Sequence, residues 1–212
     1  MPITVKALKK RISAARGEIP ANLVLKGGQV VNVFSGKIQK GDVAIYDGAI
    51  VGVGPVYHGK EERDLAGKWI IPGLIDGHFH IESSMLLPRE LAAALLIHGT
   101  TTLVADPHEI ANVMGLPGIR LMLTESQNIP FDIFFMAPSC VPASLLETSC
   151  ESLKVSVLSS LIGESRILGL AEMMYYPGVL MGDYGVLAKI VFFSDQMIDG
   201  HCPSLSDHDL QA

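Results

Sequence analysis

The sequence has 212 residues, 49% of them hydrophobic and 18% charged, with a formal net charge of -6. That length allows one or two domains, and the apolar balance points to a strand-rich, well-buried core. The acidic excess argues against a nucleic-acid partner, and no apolar run reaches the roughly 18 residues of a membrane span.

The basic start lacks the apolar stretch and cleavage site of a secretory signal. The three cysteines, Cys140, Cys150 and Cys202, are odd in number and show no C-x-x-C spacing. Reduced thiols in a cytoplasmic protein are the simplest expectation.

Residues 1–20 read as a short helical segment, with Ile12 and Ala15 on one side and Lys/Arg on the other. Residues 21–68 read as a small antiparallel β segment. Its apolar runs at 23–25, 29–34, 41–46 and 49–53 are separated by Gly27-Gly28, Ser35-Gly36 and Asp47-Gly48. Asp-Gly between such runs predicts a tight hairpin.

From residue 69 to the end, strand and helix patterns alternate. Strands are predicted at 69–75, 101–105, 131–136, 167–171 and 196–199, and helices at 88–98, 115–127, 151–163 and 184–193. Pro88 suits a first helical turn, and Gly99 and Gly163 suit positions just past a helix end. Repeated β-then-α units predict an α/β fold with a parallel sheet or a (β/α)8 barrel. About five units are countable, where a complete barrel has eight and about 250 residues.

The chemistry-bearing residues follow strand ends: His78 and His80, Asp106 with His108 and Glu109, Ser139-Cys140, Glu172 and His201. Barrels and open α/β sheets keep their sites at the C-terminal ends of strands. His78 and His80 are two residues apart, so on an extended strand both imidazoles face one side and can reach one divalent metal. Glu172 follows the apolar Ile167-Leu-Gly-Leu-Ala171, where a carboxylate must be paired, protonated or metal-bound.

His108 or Glu109 could hold substrate, move a proton or support a metal ligand. The alternative is a capping turn, with Asp106 as N-cap before an N1 proline. Glu82, Ser83 and Ser84 read as supporting groups or as a cap before Pro88. Ser139-Cys140 reads as a pocket wall, with no base beside the thiol to make it a nucleophile.

Pro72-Gly-Leu-Ile-Asp-Gly-His-Phe-His80 resembles the first-strand motif of the amidohydrolase superfamily. Five further stretches narrow the resemblance to bacterial and archaeal adenine deaminases: Ile81-Glu-Ser-Ser84, His98-Gly-Thr-Thr-Thr102, Ala105-Asp-Pro-His-Glu-Ile-Ala-Asn-Val113, Pro138-Ser-Cys-Val-Pro142 and Glu172-Met-Met174. Asp199-Gly-His201 extends it.

The resemblance implies the N-terminal part of a metal-dependent barrel preceded by a β-sandwich segment. Residues 69–212 would form its first five or so units. It implies metal ligation by His78, His80, Glu172 and His201, with Glu172 bridging two ions of manganese or iron, and zinc as a further candidate. Glu172, His108 and Glu109 are the expected catalytic groups.

The implied reaction is hydrolysis of adenine to hypoxanthine and ammonia in purine salvage. The ligands expected after later strands lie beyond residue 212. A competing expectation follows, that the chain is a non-catalytic remnant or half of a split enzyme. It would then act, if at all, through homo-oligomerisation or a complementing C-terminal half.

Overall fold

A computed structural model describes residues 3–54, 56–144 and 146–212; the first two residues of the expected 1–20 segment lie outside it. The chain divides into two compact units, Met1–Pro72 and Gly73–Ala212.

The first unit opens with α1 (Val5–Ala15), whose first turn is closed by the Thr4 hydroxyl accepting the Ala7 N–H at 3.2 Å. Five strands follow: β1 (Ala21–Asn32), β2 (Lys37–Tyr46), β3 (Ala49–Gly54), β4 (Gly59–Asp64) and β5 (Trp69–Ile70). Asp47 and Gly48 both take positive φ, the hairpin geometry expected of Asp-Gly.

Three expectations are corrected here. Gly27-Gly28 does not separate two strands; β1 runs through it, with a register shift between Leu25 and Gly28 that makes the pair a bulge. The sheet is mixed rather than antiparallel, because β4 and β5 both pair parallel with β1. The strand expected at 69–75 is two strands: Trp69–Ile70 joins this sheet, and the next begins at Leu74. Pro72, which has no N–H to give a ladder, marks the break.

Asp42 holds the bulge. Its carboxylate is 6% exposed, pairs with Lys26 Nζ at 2.8 Å, and accepts the Gly27 N–H at 2.9 Å and the Tyr57 N–H at 3.1 Å. Burial alone would raise the Asp42 pKa, but hydrogen bonds from Lys26, Tyr57 and Gly27 outweigh it and hold the pKa below the ordinary value. The hydrogen bond to Asp42 raises Lys26 in turn.

The depressed Asp42 stabilises the sheet above its unfolded pKa, and this is lost as pH falls through the folded value. The raised Lys26 contributes below its unfolded pKa, and this is lost as pH rises through the folded value. Asp42→Ala leaves the Gly27 and Tyr57 amides without partners and Lys26 Nζ with only the Tyr57 main-chain oxygen at 2.8 Å, so urea unfolding should show a loss of about 3 kcal/mol near neutral pH.

The second unit is built from β/α repeats. In chain order they are β6 (Leu74–Phe79), α2 (Pro88–Leu96), β7 (Thr100–Ala105), α3 (His108–Met114), α4 (Leu116–Glu125), β8 (Asp132–Ala137), α5 (Val155–Leu158), β9 (Ile167–Leu170), α6 (Tyr176–Leu180), α7 (Tyr184–Phe192), β10 (Met197–Ile198) and α8 (Asp207–Gln211). The sheet order is β6-β7-β8-β9-β10, every pair parallel. Parallel strands laid down in chain order with helical crossovers are the wall of a (β/α) barrel.

Leu103, Ile119, Ile133, Phe135, Leu153, Leu158, Leu170 and Phe193 are fully buried in one core. The helix expected at 151–163 shrinks to α5 and a 3-10 turn over Ser159–Leu161. Its first residue, Glu151, instead accepts the Leu116 N–H at the start of α4. Among the described residues no helix is long and apolar enough to cross a membrane.

Candidate metal centre

The C-terminal ends of all five parallel strands carry polar residues, and four of them send side chains to one place. β6 continues through Asp76-Gly77 to Phe79 rather than ending at Asp76, so His78 lies inside the strand and His80 just past it. The two-residue period puts their Nε2 atoms 3.2 Å apart.

Each ring is oriented by its other nitrogen. His78 Nδ1 lies 3.0 Å from Asp199 Oδ2, and His80 Nδ1 lies 3.2 Å from the Asp106 main-chain oxygen. Both partners are acceptors, so each Nδ1 donates and, in the neutral rings, each Nε2 is free to act as a ligand. Two such nitrogens facing each other at 3.2 Å can share a cation. Nitrogens sharing one tetrahedral ion at about 2.0–2.1 Å stand roughly 3.3 Å apart.

Glu172 is the hub. It lies two residues past β9, is 7% exposed, and sits between the buried Ala171 and Met173. Its Oε2 is 2.7 Å from His201 Nδ1 and 3.8 Å from His78 Nε2, and its Oε1 is 3.4 Å from His80 Nε2 and 4.0 Å from His108 Nδ1. His78, His80, Glu172 and His201, expected as ligands, are therefore brought together around one carboxylate.

Asp106 and His108 join them. One ligand atom from each of His80, Asp106, His108 and Glu172 lies within 4.8 Å of the others. His108 Nδ1 stands 3.1 Å from Asp106 Oδ2 without the alignment of a hydrogen bond. Both those atoms, and Asp106 Oδ1, are buried and lack a hydrogen-bond partner among the described residues. Unpartnered buried donor atoms converging beside Glu172 are what a bound divalent cation satisfies, and the residues present fit one.

Burial raises the Asp106 pKa against the opposing pull of His108. Burial lowers that of His108, but the Asp106 carboxylate at 3.1 Å outweighs it and the net shift is upward. His78 is raised chiefly by its hydrogen bond with Asp199.

The remaining residues take other places. The N-cap of α3 is Pro107, so Asp106 does not play the capping role that the sequence left open. Glu109 is not one of the clustered residues and accepts a hydrogen bond from the Ser83 hydroxyl at 3.0 Å. Glu82 accepts the Ile110 N–H in the first turn of α3, not one ahead of Pro88. Its pKa is raised by burial.

Ser139 and Cys140 line a separate cleft of about 870 Å3, bounded also by Val141, Tyr175, Val186 and Lys189. The Cys140 thiol receives the Tyr175 N–H at 3.3 Å and touches Met173 Sδ at 3.5 Å. Sequence reasoning placed Asp106 at a strand end but not in the cluster. It singled out neither Asp199 as the partner of the His78 ring nor Lys189.

Parallel β/α units whose strand ends gather imidazoles and carboxylates are the wall of a barrel with a candidate divalent-metal site. The chain belongs to the amidohydrolase family, whose model matches residues 69–209. It is 49% identical to an adenine deaminase of Clostridium acetobutylicum over 97% of its own length and 36% of that protein's. It is 52% identical to an adenine deaminase of Methanoregula boonei over 95% of its length, and 50% identical to adenine deaminase 2 of Carboxydothermus hydrogenoformans over 98%. The chain spans 36% of the length of each of these relatives.

Among solved structures, a D-hydantoinase superposes with a TM-score of 0.51 at 19% identity, covering 70% of this chain and 32% of that one. Atrazine chlorohydrolase from Arthrobacter aurescens TC1 gives 0.50 at 16% identity, covering 66% and 42%. Both likenesses concern the fold.

Proposed function

We propose that this chain carries part of the active site of an adenine deaminase, which converts adenine and water to hypoxanthine and ammonia. The observation that supports this most is the identity of about half of all residues to adenine deaminases along almost the entire chain. The imidazole–carboxylate cluster supplies the chemistry.

His78, His80, Glu172 and His201 would hold divalent metal at a binuclear centre, manganese or iron in preference to zinc. Bound there, the metal supplies Lewis acidity and water activation at neutral pH. Glu172 holds the imidazoles in register. His108, steadied by Asp106, moves the proton toward the amine leaving C6, and Glu109, fixed by Ser83, places the purine. The role in the cell would be purine salvage in the cytoplasm, with adenine as the small-molecule partner and a homo-oligomer as the working assembly.

A second reading is favoured by the openness of the site: His78 and His201 side chains are 45% and 49% exposed. In it, these 212 residues hold metal weakly and do not turn adenine over unless a complementing half or a second copy closes the site. Purified chain supplied with Mn²⁺, Fe²⁺ or Zn²⁺ is assayed for hypoxanthine and, separately, for bound metal. Turnover that His78→Ala abolishes supports the first reading. Metal uptake without turnover supports the second. Absence of metal uptake overturns both.

A further inference from the structure

Lys189 lies on α7 and lines the cleft beside Ser139 and Cys140. Its half-buried ammonium donates to the main-chain oxygen of Ser139, and among the described residues no carboxylate pairs with it. Burial lowers its pKa, so a lysine costs more here than an apolar residue of the same length. The Ser139 carbonyl accounts for the cost. Ser139 is 2% exposed and lies past the end of β8, where the sheet ladder no longer supplies it a donor.

The ladder between β8 and β9 makes its last rung with the Ala171 N–H donating to the Ala137 oxygen at 2.8 Å. One step beyond, the Ser139 hydroxyl takes over and donates to the main-chain oxygen of Glu172. The path is short and continuous: ammonium to Ser139 carbonyl, Ser139 hydroxyl to Glu172 carbonyl, Glu172 carboxylate to the imidazoles. Tyr175 N–H to Cys140 Sγ laces the same two loops a second time.

We propose that Lys189 is a positioning residue for the metal centre, holding Ser139 so that Ser139 fixes the main chain carrying the Glu172 carboxylate. This rests on the reading of Glu172 as a metal ligand. Without the ammonium, the Ser139 peptide must turn to find another donor, which carries the hydroxyl off the Glu172 carbonyl. Metal sites tolerate displacements of only about 0.2 Å in ligand distance. Loss of such a supporting contact typically costs about 10–100-fold in metal affinity.

The test uses the 212-residue chain and the metal alone. Mn²⁺ affinity is measured by competition with a chromophoric chelator, and the ligand-field absorption of bound Co²⁺ reports coordination geometry. Lys189→Met is expected to weaken Mn²⁺ at least tenfold and to shift the Co²⁺ bands, and Lys189→Arg, which keeps a donor, to recover most of both. Ser139→Ala should reproduce the methionine variant and serves in its place if that variant does not fold.

A merely structural lysine would lower the unfolding midpoint of the metal-free chain while leaving the Co²⁺ bands and Mn²⁺ affinity unchanged. That result, in Lys189→Met or in Ser139→Ala, overturns the inference alone. Wild-type chain that takes up no metal overturns the reading of the centre on which it rests.

Discussion

Replacing Glu172 by alanine is expected to abolish metal uptake rather than to weaken it. Four imidazoles approach this one carboxylate, at 2.7, 3.4, 3.8 and 4.0 Å. The one other carboxylate in the cluster, Asp106, faces His108 and lies at the end of a different strand. Removing the hub leaves the imidazoles with Asp106 as the one clustered carboxylate, and Asp106 lies against His108 rather than between His78 and His201.

The loss should exceed the roughly 10–100-fold that removal of a supporting partner costs. Glu172→Gln separates charge from shape, since glutamine fills the space but brings no anion. If Mn²⁺ raises the melting temperature of the wild type and leaves both variants unmoved, Glu172 is a ligand. An undiminished shift in Glu172→Gln would show that the cation sits elsewhere.

The pair His78 and His80 was legible because its meaning is local. Alternation along a strand needs no knowledge of the rest of the fold, and the 3.2 Å approach of the two Nε2 atoms follows from it. The parallel β/α order was legible for a similar reason, since β7, β8 and β9 and the helices α2, α4 and α7 each carry a local pattern.

What was hidden depends on long-range pairing. Gly59-Lys-Glu-Glu-Arg-Asp64 has no apolar alternation, yet it forms β4 because β1 offers it a free edge. Helix α3 is only seven residues long, too short to show a period, and its one local signal is the possible cap at Asp106-Pro107. Asp106 could cap a helix or face a metal on local chemistry alone; the direction of its side chain is set by neighbours on β6 and β9. Lys189 looks like any lysine near the end of a helix until the orphaned Ser139 carbonyl is found beside it.

Gly169→Val should cost nearly as much metal affinity as removing a ligand, although Gly169 lies away from the cluster. Gly169 pairs with Met197 in the parallel ladder between β9 and β10. A Cβ there would meet the Met197 main chain, with the carbonyl carbon at 2.8 Å and the amide nitrogen at 2.9 Å. No side chain can swing aside to admit it, so the strand must move.

β10 has only two residues, both exposed, and few other bonds hold it: Asp199 N–H to the Leu170 oxygen at 3.1 Å and Met173 N–H to the Asp199 oxygen at 3.0 Å. Its displacement carries off Asp199, which orients His78, and His201, which reaches Glu172. The buried core around Phe135 lies on the strands that stay, so unfolding should remain cooperative with a loss of about 1–3 kcal/mol.

Because the strand is already gone in Gly169→Val, adding His201→Ala to it should cost no further metal affinity, whereas His201→Ala in the wild type should cost a great deal. Groups that act as a unit fail to add in this way. If the two losses instead add in full, β10 is still docked in the valine variant, and His201 does not depend on the close approach that the glycine permits.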